Sequence, residues 1–505
     1  MLVARDGHVL FQGGYGLADV EKKTPITPET KFRIGAVTMQ FTAAAILKLA
    51  EQGKLALGDS LANYFPNLPH AWAITLRHLL THTSGLHSYT VRPDYSADVV
   101  KPIASAELIA SMEKDPPDFA PGTNFQYCDT GYFLLGEIVA KVSRRPLADY
   151  LRTTFFEPLG MKDTGIFVNA TPPPGAALGY SMTDGKGTLA PDWDMSWEGG
   201  AGAIYSTVGD LMRWTEALHG GWVVNAASLT AMTTPNPLPP GADGPNYGFG
   251  LVMSEVQRLP AIWHNGALPG WSSELLWLPQ QKVTVVALSN AMPAPPGLEL
   301  GALTHELVKH FLGDEIANLP PPAEDKSVDP RTYGAYVGRY NYPTGLFTVS
   351  VENDRLYGRF TGQPRYEILP KGGDEFFWKG TDASVRFLRN EKGEVMAAQH
   401  LENGSAFRAS RLAEDAVKLT AEQLEAYVGE YRHVSQAVFT VTRDEEQLFA
   451  GLSGQPALPI FPTGEDNFEW RVGTATVHFV KGGDGKVVKA VLVQNGHTFE
   501  VPKVK

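Results

Sequence analysis

The segment Phe32–Ala43, FRIGAVTMQFTA, begins the strongest helical pattern in the chain and leads into the longer stretch Ala36–Gly53. Apolar residues recur through that stretch at helical spacing, namely Val37, Phe41, Ala44, Ala45 and Leu49. This spacing places them on one face of a helix, where a domain core can cover them. Gly53 is a typical C-terminal stop. We therefore predict a buried helix that begins near Ala36.

Around this helix, the first 315 residues mix helical and strand patterns. The turn Arg5-Asp6-Gly7 separates two short apolar runs and predicts a hairpin. Helical spacing recurs further along the chain, in Asp129–Ser143, Gly209–Leu218 and Leu298–Leu312. Lys282–Leu288 (KVTVVAL) has the pattern of a buried strand. The mixture predicts an α/β or α+β domain over residues 1–315.

Composition limits the function classes. At about 150 residues per domain, 505 residues predict two to four domains. A net charge of −12 argues against a nucleic-acid partner. Cys128 is the only cysteine, which excludes an intramolecular disulfide and any multi-cysteine metal site. His82 and His87 have no neighbouring carboxylate cluster, so we expect no metal, and no other cofactor is expected.

The sequence gives only a conditional expectation about the compartment. It contains no apolar run of the roughly 18 residues that a membrane helix needs. Met1–Phe11 lacks the ordered regions of a signal peptide. We therefore expect a cytoplasmic protein as the sequence is written, and a periplasmic or secreted one if an N-terminal leader was removed.

The C-terminal part of the chain is a tandem duplication. Residues 316–330 are rich in proline and charge and are predicted to be a linker. Beyond them, short motifs recur at an offset of 91 to 92 residues. The recurring pairs are Tyr336–Tyr340 with Tyr427–Tyr431, Gly362–Pro364 with Gly454–Pro456, Phe376 and Trp378 with Phe468 and Trp470, and Asn403-Gly404 with Asn495-Gly496.

Each copy is predicted to be a small antiparallel barrel or sandwich, over residues 331–412 and 420–504. Short alternating strands such as Leu346–Val351 and Ala437–Val441 are separated by turn residues. Each copy resembles the lipocalin-like domain that often follows serine hydrolases of the β-lactamase-like superfamily. Neither copy carries a catalytic motif, which leaves a packing or lid-forming accessory and a ligand-binding barrel as the two interpretations.

Five ordered blocks in residues 1–315 resemble the serine hydrolase family of class C β-lactamases, DD-peptidases and esterases. Phe32–Ala43 occupies the place of the catalytic segment, which in the family contains Ser-x-x-Lys. The other blocks follow in the family's order: Leu76–Leu86 (LRHLLTHTSGL), Tyr127–Asp129 with Gly131-Tyr132, Gly199–Leu211 (GGAGAIYSTVGDL) and His264–Gly266 with Pro269–Ser272. The resemblance implies an α+β, β-lactamase/transpeptidase-like domain, in which helices flank an antiparallel sheet and two barrel-like repeats follow.

The chain departs from the family at the catalytic positions. Ala36 stands at the serine position and Met39 at the lysine position. Covalent catalysis needs a nucleophile beside a base, and neither an alanine methyl nor a thioether supplies one. Thr38 faces another side of the helix, and Cys128 and Ser84 have no motif that would make either a substitute. We therefore expect no acyl-enzyme chemistry.

Other parts of the family's site are retained. The resemblance pairs the backbone N–H groups of Ala36 and Ala267 as an oxyanion hole, which needs no side chain. Tyr127 is expected to have a pKa near 10 and to act as an acid, since the lysine charge is missing. His264 is expected to act as the base, with a pKa near 6.5. The negative charge of Asp129, which replaces the family's usual Asn, would either raise that pKa or bind a cationic substrate group. Candidate substrate-binding residues are Met39, Asp129, Asn265, Trp263, Trp271, Trp193 and Trp197, the tryptophans as walls of an apolar pocket.

Three functions remain open. The first is a non-covalent acid–base enzyme that isomerises, eliminates from, adds to or cyclises a small carbonyl-containing substrate. The second is a pseudo-hydrolase that binds a ligand or a protein without turning it over. The third is an ester or amide hydrolase, of esterase, β-lactamase or peptidase type, that substitutions at Ala36 and Met39 have inactivated.

Overall fold

A computed structural model describes the chain with the exception of residues 93–94, 184, 238–244, 296–297, 321, 343–344, 380, 382, 391, 403–404, 414, 416, 433–437, 453–456, 471–474, 495–496 and 505. The repeated motifs Asn403-Gly404, Gly454–Pro456 and Asn495-Gly496, and Ala437 of a predicted strand, lie outside the described residues. The chain divides into two compact units, Met1–Pro321 with Leu401–Phe407, and Pro322–His400 with Arg408–Lys505. The domain boundaries stated above stay predictions.

A six-stranded antiparallel sheet organises the first unit. Its strand order is β10-β11-β12-β13-β1-β2. The N-terminal hairpin β1–β2 therefore pairs with β13, a strand formed late in the sequence of this unit. Shorter strands form three small sheets. The strands are β1 Leu2–Arg5, β2 His8–Gln12, β3 Leu17–Asp19, β4 Thr24–Pro25, β5 Phe32–Arg33, β6 Gly165–Ile166, β7 Tyr180–Thr183, β8 Lys186–Leu189, β9 Ile204–Ser206, β10 Val252–Val256, β11 Leu259–Leu268, β12 Trp271–Leu278, β13 Val283–Ser289 and β14 Ala291–Met292.

Helices cover both faces of this sheet. The α-helices are α1 Thr38–Glu51, α2 Leu76–Leu80, α3 Tyr95–Asp98, α4 Ser105–Met112, α5 Asp129–Ser143, α6 Leu147–Leu151, α7 Gly199–Gly202, α8 Val208–His219, α9 Ala226–Met232 and α10 Leu300–Ala317. Short 3₁₀ segments lie at Gly35–Val37, Leu61–Asn63 and Tyr89–Val91, and a π segment at Arg152–Phe156. The predicted α+β arrangement of helices around an antiparallel sheet is confirmed.

Two helices differ in detail from the sequence prediction. The helix expected from Ala36 begins as a 3₁₀ turn at Gly35–Val37 and becomes α-helical at Thr38. Gly35 has φ +50°, a left-handed conformation that favours glycine. The helix expected to end at Leu312 continues to Ala317, since the backbone leaves helical geometry only at Leu312 itself, where φ is −119°.

The second unit consists of two eight-stranded antiparallel barrels that are nearly closed. In the first barrel, Tyr340 bridges Arg411, and in the second, Tyr431 bridges Lys503, which joins the first strand to the end of the last. The strands are β15 Gly338–Tyr342, β16 Gly345–Glu352, β17 Arg355–Phe360, β18 Tyr366–Gly372, β19 Glu375–Trp378, β20 Ser384–Arg389, β21 Val395–Glu402, β22 Ser405–Ser410, β23 Gly429–Arg432, β24 Val438–Asp444, β25 Gln447–Leu452, β26 Leu458–Gly464, β27 Asn467–Glu469, β28 Thr476–Lys481, β29 Val487–Gln494 and β30 His497–Pro502, with a 3₁₀ segment at Pro330–Ala335 and α11 at Ala421–Glu425.

The same contacts recur in both barrels. Tyr340 donates its hydroxyl to the Tyr336 carbonyl at 2.7 Å, and in the second barrel Tyr431 donates to the Tyr427 carbonyl at 2.7 Å. The rings of Tyr336 and Phe376 meet at 5.0 Å and 70°, and so do those of their counterparts. Aromatic side chains fill both interiors, which favours the packing interpretation.

The two barrels are joined by side-chain contacts around a cleft of about 730 Å³. Arg359 of the first barrel donates to Asp444 of the second at 2.5 Å, and the Gly362 N–H donates to the other carboxylate oxygen at 3.1 Å. Arg339 donates to Gln447 at 2.9 Å and to Asp415 at 2.7 Å. These contacts link the two copies within one unit.

Candidate functional site

The candidate site lies where the start of α1 meets strand β11. The 3₁₀ turn Gly35–Val37 presents Ala36 at the N-terminal end of the helix, where backbone N–H groups lack intrahelical acceptors. Ala36 is half-buried and Ala267, on the facing strand, is exposed. Met39, one turn further along, has no exposed surface.

Two glycines let these backbones approach closely. A Cβ at Gly266 would lie 2.0 Å from the Ile34 carbonyl oxygen and 2.8 Å from the Ala36 nitrogen. A Cβ at Gly35 would lie 3.0 Å from the Ala267 nitrogen. Real Cβ atoms do not lie as close to backbone as a Cβ at Gly266 would, and a Cβ at Gly35 would be tighter than most real Cβ contacts. Because these two positions are glycines, the backbone segment that carries the Ala36 N–H can lie directly beside the segment that carries the Ala267 N–H.

Tyr127 reaches this junction from the loop before α5. Its hydroxyl donates to the Met39 sulfur at 3.1 Å, although 40% of the residue remains exposed. Burial of the hydroxyl, followed by the nearby carboxyl of Asp129, raises the pKa of Tyr127 well above 10. The expected value near 10 was therefore too low, and Tyr127 stays a protonated donor.

His264 is buried and neutral. Its Nδ1 lies 2.6 Å from the Asn265 carbonyl oxygen, which can only accept, so Nδ1 carries the hydrogen. Nε2 then accepts a hydrogen bond from the Tyr247 hydroxyl at 3.0 Å. Burial lowers the pKa of His264 to about 4. The expected value near 6.5 is wrong, because the imidazole sits 2% exposed rather than in water.

Asp129 does not supply the charge that was expected beside His264. Its carboxylate accepts from the hydroxyls of Thr90 at 2.8 Å and Ser88 at 3.4 Å. The pKa of Asp129 is raised above its ordinary value, because the effect of burial exceeds the lowering by these two hydroxyls. Glu198 lies in the same acidic region, accepts from Tyr95, and has a pKa raised to about 8 by burial and then by Asp129.

His82 also belongs to the site. Its ring centroid lies 4.4 Å from that of Tyr127 and 4.7 Å from that of Tyr247. The Cys128 N–H donates to His82 Nδ1 at 3.1 Å, so the hydrogen is on Nε2. Nε2 is buried and has no hydrogen-bond partner among the described residues. Burial lowers the pKa of His82 to about 3.

The four tryptophans do not form one pocket wall. Trp263 donates to Ser254 and packs on the α10 face of the sheet, whereas His264, next in the strand, faces the opposite side. Trp271 packs edge-on against Phe32. Trp193 and Trp197 both contact the ring of Tyr95. Asn265 alternates with His264 on β11 and is exposed, so its side chain points away from that of His264.

The hydroxyls and thiol weighed as substitute nucleophiles are engaged elsewhere. Thr38 accepts from the Ile204 N–H at 3.2 Å, and Ser84 accepts from the Leu86 N–H at 3.3 Å. Cys128 donates to the Leu86 carbonyl, and burial raises its pKa to about 12. Within the described part of the chain, no group of three or more His, Cys, Asp or Glu residues is placed to hold a metal ion. No helix among the described residues is long and apolar enough to cross a membrane.

Tyr247, like His82, is a residue of the candidate site that the sequence analysis missed. Its hydroxyl lies 3.0 Å from His264 Nε2 and 3.9 Å from the Met39 sulfur. The available signal was the sequence Tyr247-Gly248-Phe249-Gly250. Gly250 has φ +69°, and a Cβ there would lie 2.8 Å from the Gln40 backbone. A glycine pair beside a tyrosine thus marks a close approach to α1.

Two protein-family models together match most of the chain. Residues 1–309 match the family described as Beta-lactamase, and residues 322–409 match a domain of unknown function, DUF3471. Penicillin-binding protein 4* of Bacillus subtilis is 28% identical over 77% of this chain and 90% of its own length. The D-aminopeptidase of Gluconobacter oxydans is 28% identical over 58% of this chain and 55% of its own length.

Solved structures agree with this assignment. The octameric penicillin-binding protein homologue from Pyrococcus abyssi is 27% identical, with a TM-score of 0.54, over 81% of this chain and 94% of that one. The D-amino acid amidase from Ochrobactrum anthropi SV3, complexed with L-phenylalanine amide, is 25% identical with a TM-score of 0.54, over 62% and 93%. The predicted resemblance is confirmed: this chain belongs to the Beta-lactamase family.

Proposed function

We propose that this chain is an enzyme that binds the carbonyl group of a small substrate and moves protons beside it without a covalent intermediate. The sequence resemblance places Ala36 and Met39 at the positions of the family's serine and lysine, which supports a mechanism without a covalent intermediate. The single observation that carries the proposal is that two tyrosine hydroxyls lie close to the Met39 sulfur. The Tyr127 hydroxyl is 3.1 Å from it and the Tyr247 hydroxyl is 3.9 Å from it.

The N–H groups of Ala36 and Ala267 would hold the carbonyl oxygen. The short approach at Gly266 and Gly35 supports this role, because it leaves no side chain between the two segments. Backbone donors fixed in this way stabilise negative charge that develops on an oxygen, and they need no reorganisation during the reaction.

Tyr127 would be the proton donor. Its raised pKa keeps it protonated at neutral pH, and its partial exposure lets a substrate reach it. The present acceptor of its hydroxyl is a thioether, which is a weak acceptor. Exchanging that contact for a substrate oxygen or carbon therefore costs little.

His264 would act through Tyr247 rather than directly. One proton leaves the carbon beside the carbonyl for the Tyr247 oxygen, while the Tyr247 proton moves to His264 Nε2. Tyr127 delivers one proton to the substrate, and the proton on His264 later returns to Tyr127. The balance is a proton shift within the substrate, as in an isomerisation. Elimination, addition or cyclisation would use the same two transfers.

The relatives suggest the substrate class. Their names are those of a D-aminopeptidase and of a D-amino acid amidase bound to L-phenylalanine amide, so they act on or bind small amides and peptides. We infer that this chain takes small amide-like or ester-like carbonyl compounds as well.

Ligand binding without turnover is the second candidate. It is favoured by the pKa of about 4 for His264, which makes this imidazole a weak proton acceptor. The inactivated hydrolase is the third candidate, and the double variant Ala36→Ser with Met39→Lys tests it directly.

Hydrogen–deuterium exchange at carbon separates the first two candidates. Amides, esters and ketones with an acidic C–H bond would be incubated with the protein in D₂O and followed by NMR. We expect exchange beside the carbonyl, reduced at least about 100-fold by Tyr127→Phe or Tyr247→Phe. Tyr15→Phe, at an exposed tyrosine, is the matched control. Full exchange in Tyr127→Phe would contradict the proposal, and binding without exchange would favour the second candidate.

A further inference from the structure

We propose that the site accepts a neutral or cationic carbonyl compound and rejects one that carries a carboxylate; this substrate class rests on the proposed function. The inference comes from the charges that surround the junction of Met39, Tyr127 and Tyr247.

The side chains that meet at the junction are uncharged. Met39 is a thioether, and Tyr127 and Tyr247 are phenols whose pKa values burial raises. His82 is held neutral by geometry, because its Nδ1 accepts the Cys128 N–H and so cannot also carry a hydrogen.

His264 is uncharged for a related reason. Its Nδ1 hydrogen is used by the Asn265 carbonyl, and its Nε2 faces the Tyr247 hydroxyl. Burial lowers the pKa of this imidazole to about 4, so that a second proton is absent at neutral pH. The two histidines therefore offer no positive charge to a ligand.

The charged groups nearest to Tyr127 are acidic. Asp129, two residues along the chain, accepts hydrogen bonds from the hydroxyls of Ser88 and Thr90. Those donors stabilise its negative charge but do not cancel it. Asp129 raises the pKa of Tyr127. Glu198 also lies near, but its pKa of about 8 keeps it mostly protonated at about pH 6.5, so Asp129 is the acid on which the inference depends.

Two arginines on neighbouring segments are engaged by other acids. Arg92, which follows the 3₁₀ turn that contains Thr90, is paired with Asp115. Arg33 donates to Asp192 and lies over the ring of Phe167. A ligand carboxylate would lose its hydration here and meet a like charge without a counter-ion, which is costly in a partly buried site. A neutral amide or an ammonium group would not incur this cost.

A charge series on one molecular frame tests the inference. Phenylalanine amide, N-acetylphenylalanine amide and N-acetylphenylalanine share the aromatic side chain and present a cation, a neutral group and an anion. Their Kd values for the full chain would be measured by calorimetry at about pH 6.5 with both enantiomers. We expect the anion to bind at least about tenfold more weakly than the two amides.

Two variants assign the effect to the site charges. Asp129→Asn removes the negative charge at nearly constant shape, and should reduce the discrimination by at least about threefold. Met39→Lys introduces a cation and should move the preference toward the anion. Glu21→Gln, at an exposed acid, is the control and should change nothing.

Each outcome decides a separate question. Anion binding equal to or tighter than amide binding would overturn the inference, and so would failure of all three compounds to bind. If the binding order holds but no compound exchanges hydrogen, the proposed chemistry fails while the charge selectivity stands.

Discussion

The Tyr247 hydroxyl lies 3.0 Å from Nε2 of His264, and this contact completes the hydrogen bonding of a buried imidazole whose other nitrogen donates to the Asn265 carbonyl. The pair joins Tyr247, which precedes β10, to strand β11 at the candidate site. Because both partners are buried, the pair ties the stability of the fold to the protonation state of His264.

Acid should destabilise the first unit through His264. The folded pKa is about 4 and the ordinary value is 6.5, so the unfolded chain takes up a proton first as the pH falls. The free energy of unfolding should therefore be independent of this group above pH 6.5, fall between pH 6.5 and pH 4, and level off below. The loss amounts to about 3 kcal/mol.

The variant His264→Gln tests this assignment. It should unfold more easily at neutral pH but show a shallower dependence of the apparent Tm between pH 6.5 and pH 4. His8→Gln, at an exposed histidine, is the control. An unchanged slope in His264→Gln would mean that other groups cause the acid sensitivity.

Introducing the family's Ser-x-x-Lys pair should create a hydrolase. Ala36→Ser with Met39→Lys places a hydroxyl at the helix start and an amine one turn later, next to the Tyr127 hydroxyl that now contacts Met39. We expect turnover of chromogenic esters or β-lactams by the double variant and none by the parent chain. Each single variant serves as a control, since a nucleophile without its base gains little. Equal hydrolysis by the parent would contradict the non-covalent proposal.

Gly266→Ala should damage the site and the fold together. Its Cβ would lie 2.0 Å from the Ile34 carbonyl oxygen and 2.8 Å from the Ala36 nitrogen, so the helix start must move. We expect a loss of about 2–4 kcal/mol in unfolding free energy and of carbonyl-ligand binding. Gly301→Ala, where nothing lies within 4 Å, should be neutral or slightly stabilising. Equal losses in Gly266→Ala and Gly301→Ala would contradict the close approach of Gly266 to the backbone of Ile34 and Ala36.

His82 should position the two tyrosines. His82→Asn keeps an acceptor for the Cys128 N–H but removes the ring that contacts Tyr127 and Tyr247. We expect weaker ligand binding by about three- to tenfold and an altered near-UV circular dichroism of the tyrosines. His82→Gln, which has a longer side chain, should recover part of the loss. A signal identical to that of the parent would remove His82 from the site.

The two barrels should respond alike to one substitution. Tyr340→Phe and Tyr431→Phe each remove a buried hydroxyl that donates to a carbonyl four residues earlier at 2.7 Å. Each should lower the unfolding free energy by about 1–2 kcal/mol, because a buried carbonyl loses its donor. Tyr366→Phe, at an exposed tyrosine, is the control. Clearly different losses would mean that the copies have diverged in packing.

Much of the fold was determined by local sequence. The 3.6-residue spacing of apolar residues predicted the buried helix that begins as a turn at Gly35 and the helix Asp129–Ser143, and a turn flanked by apolar runs predicted the hairpin β1–β2. The 91 to 92 residue offset predicted two copies of one barrel. These features depend on residues that are close in sequence or repeat at a fixed interval, so the pattern alone carries them.

The chemistry of the site was decided only by tertiary structure. Sequence named Tyr127 and His264, but not Tyr247, whose hydroxyl reaches His264 from 17 residues away. Residue type gives an imidazole its ordinary pKa, whereas the pKa of about 4 comes from burial among side chains distant in sequence. Tertiary structure likewise placed Trp263 and His264, which are neighbours in sequence, on opposite faces of strand β11. Burial and long-range contacts set the charge of each group here, and neither is contained in local sequence spacing.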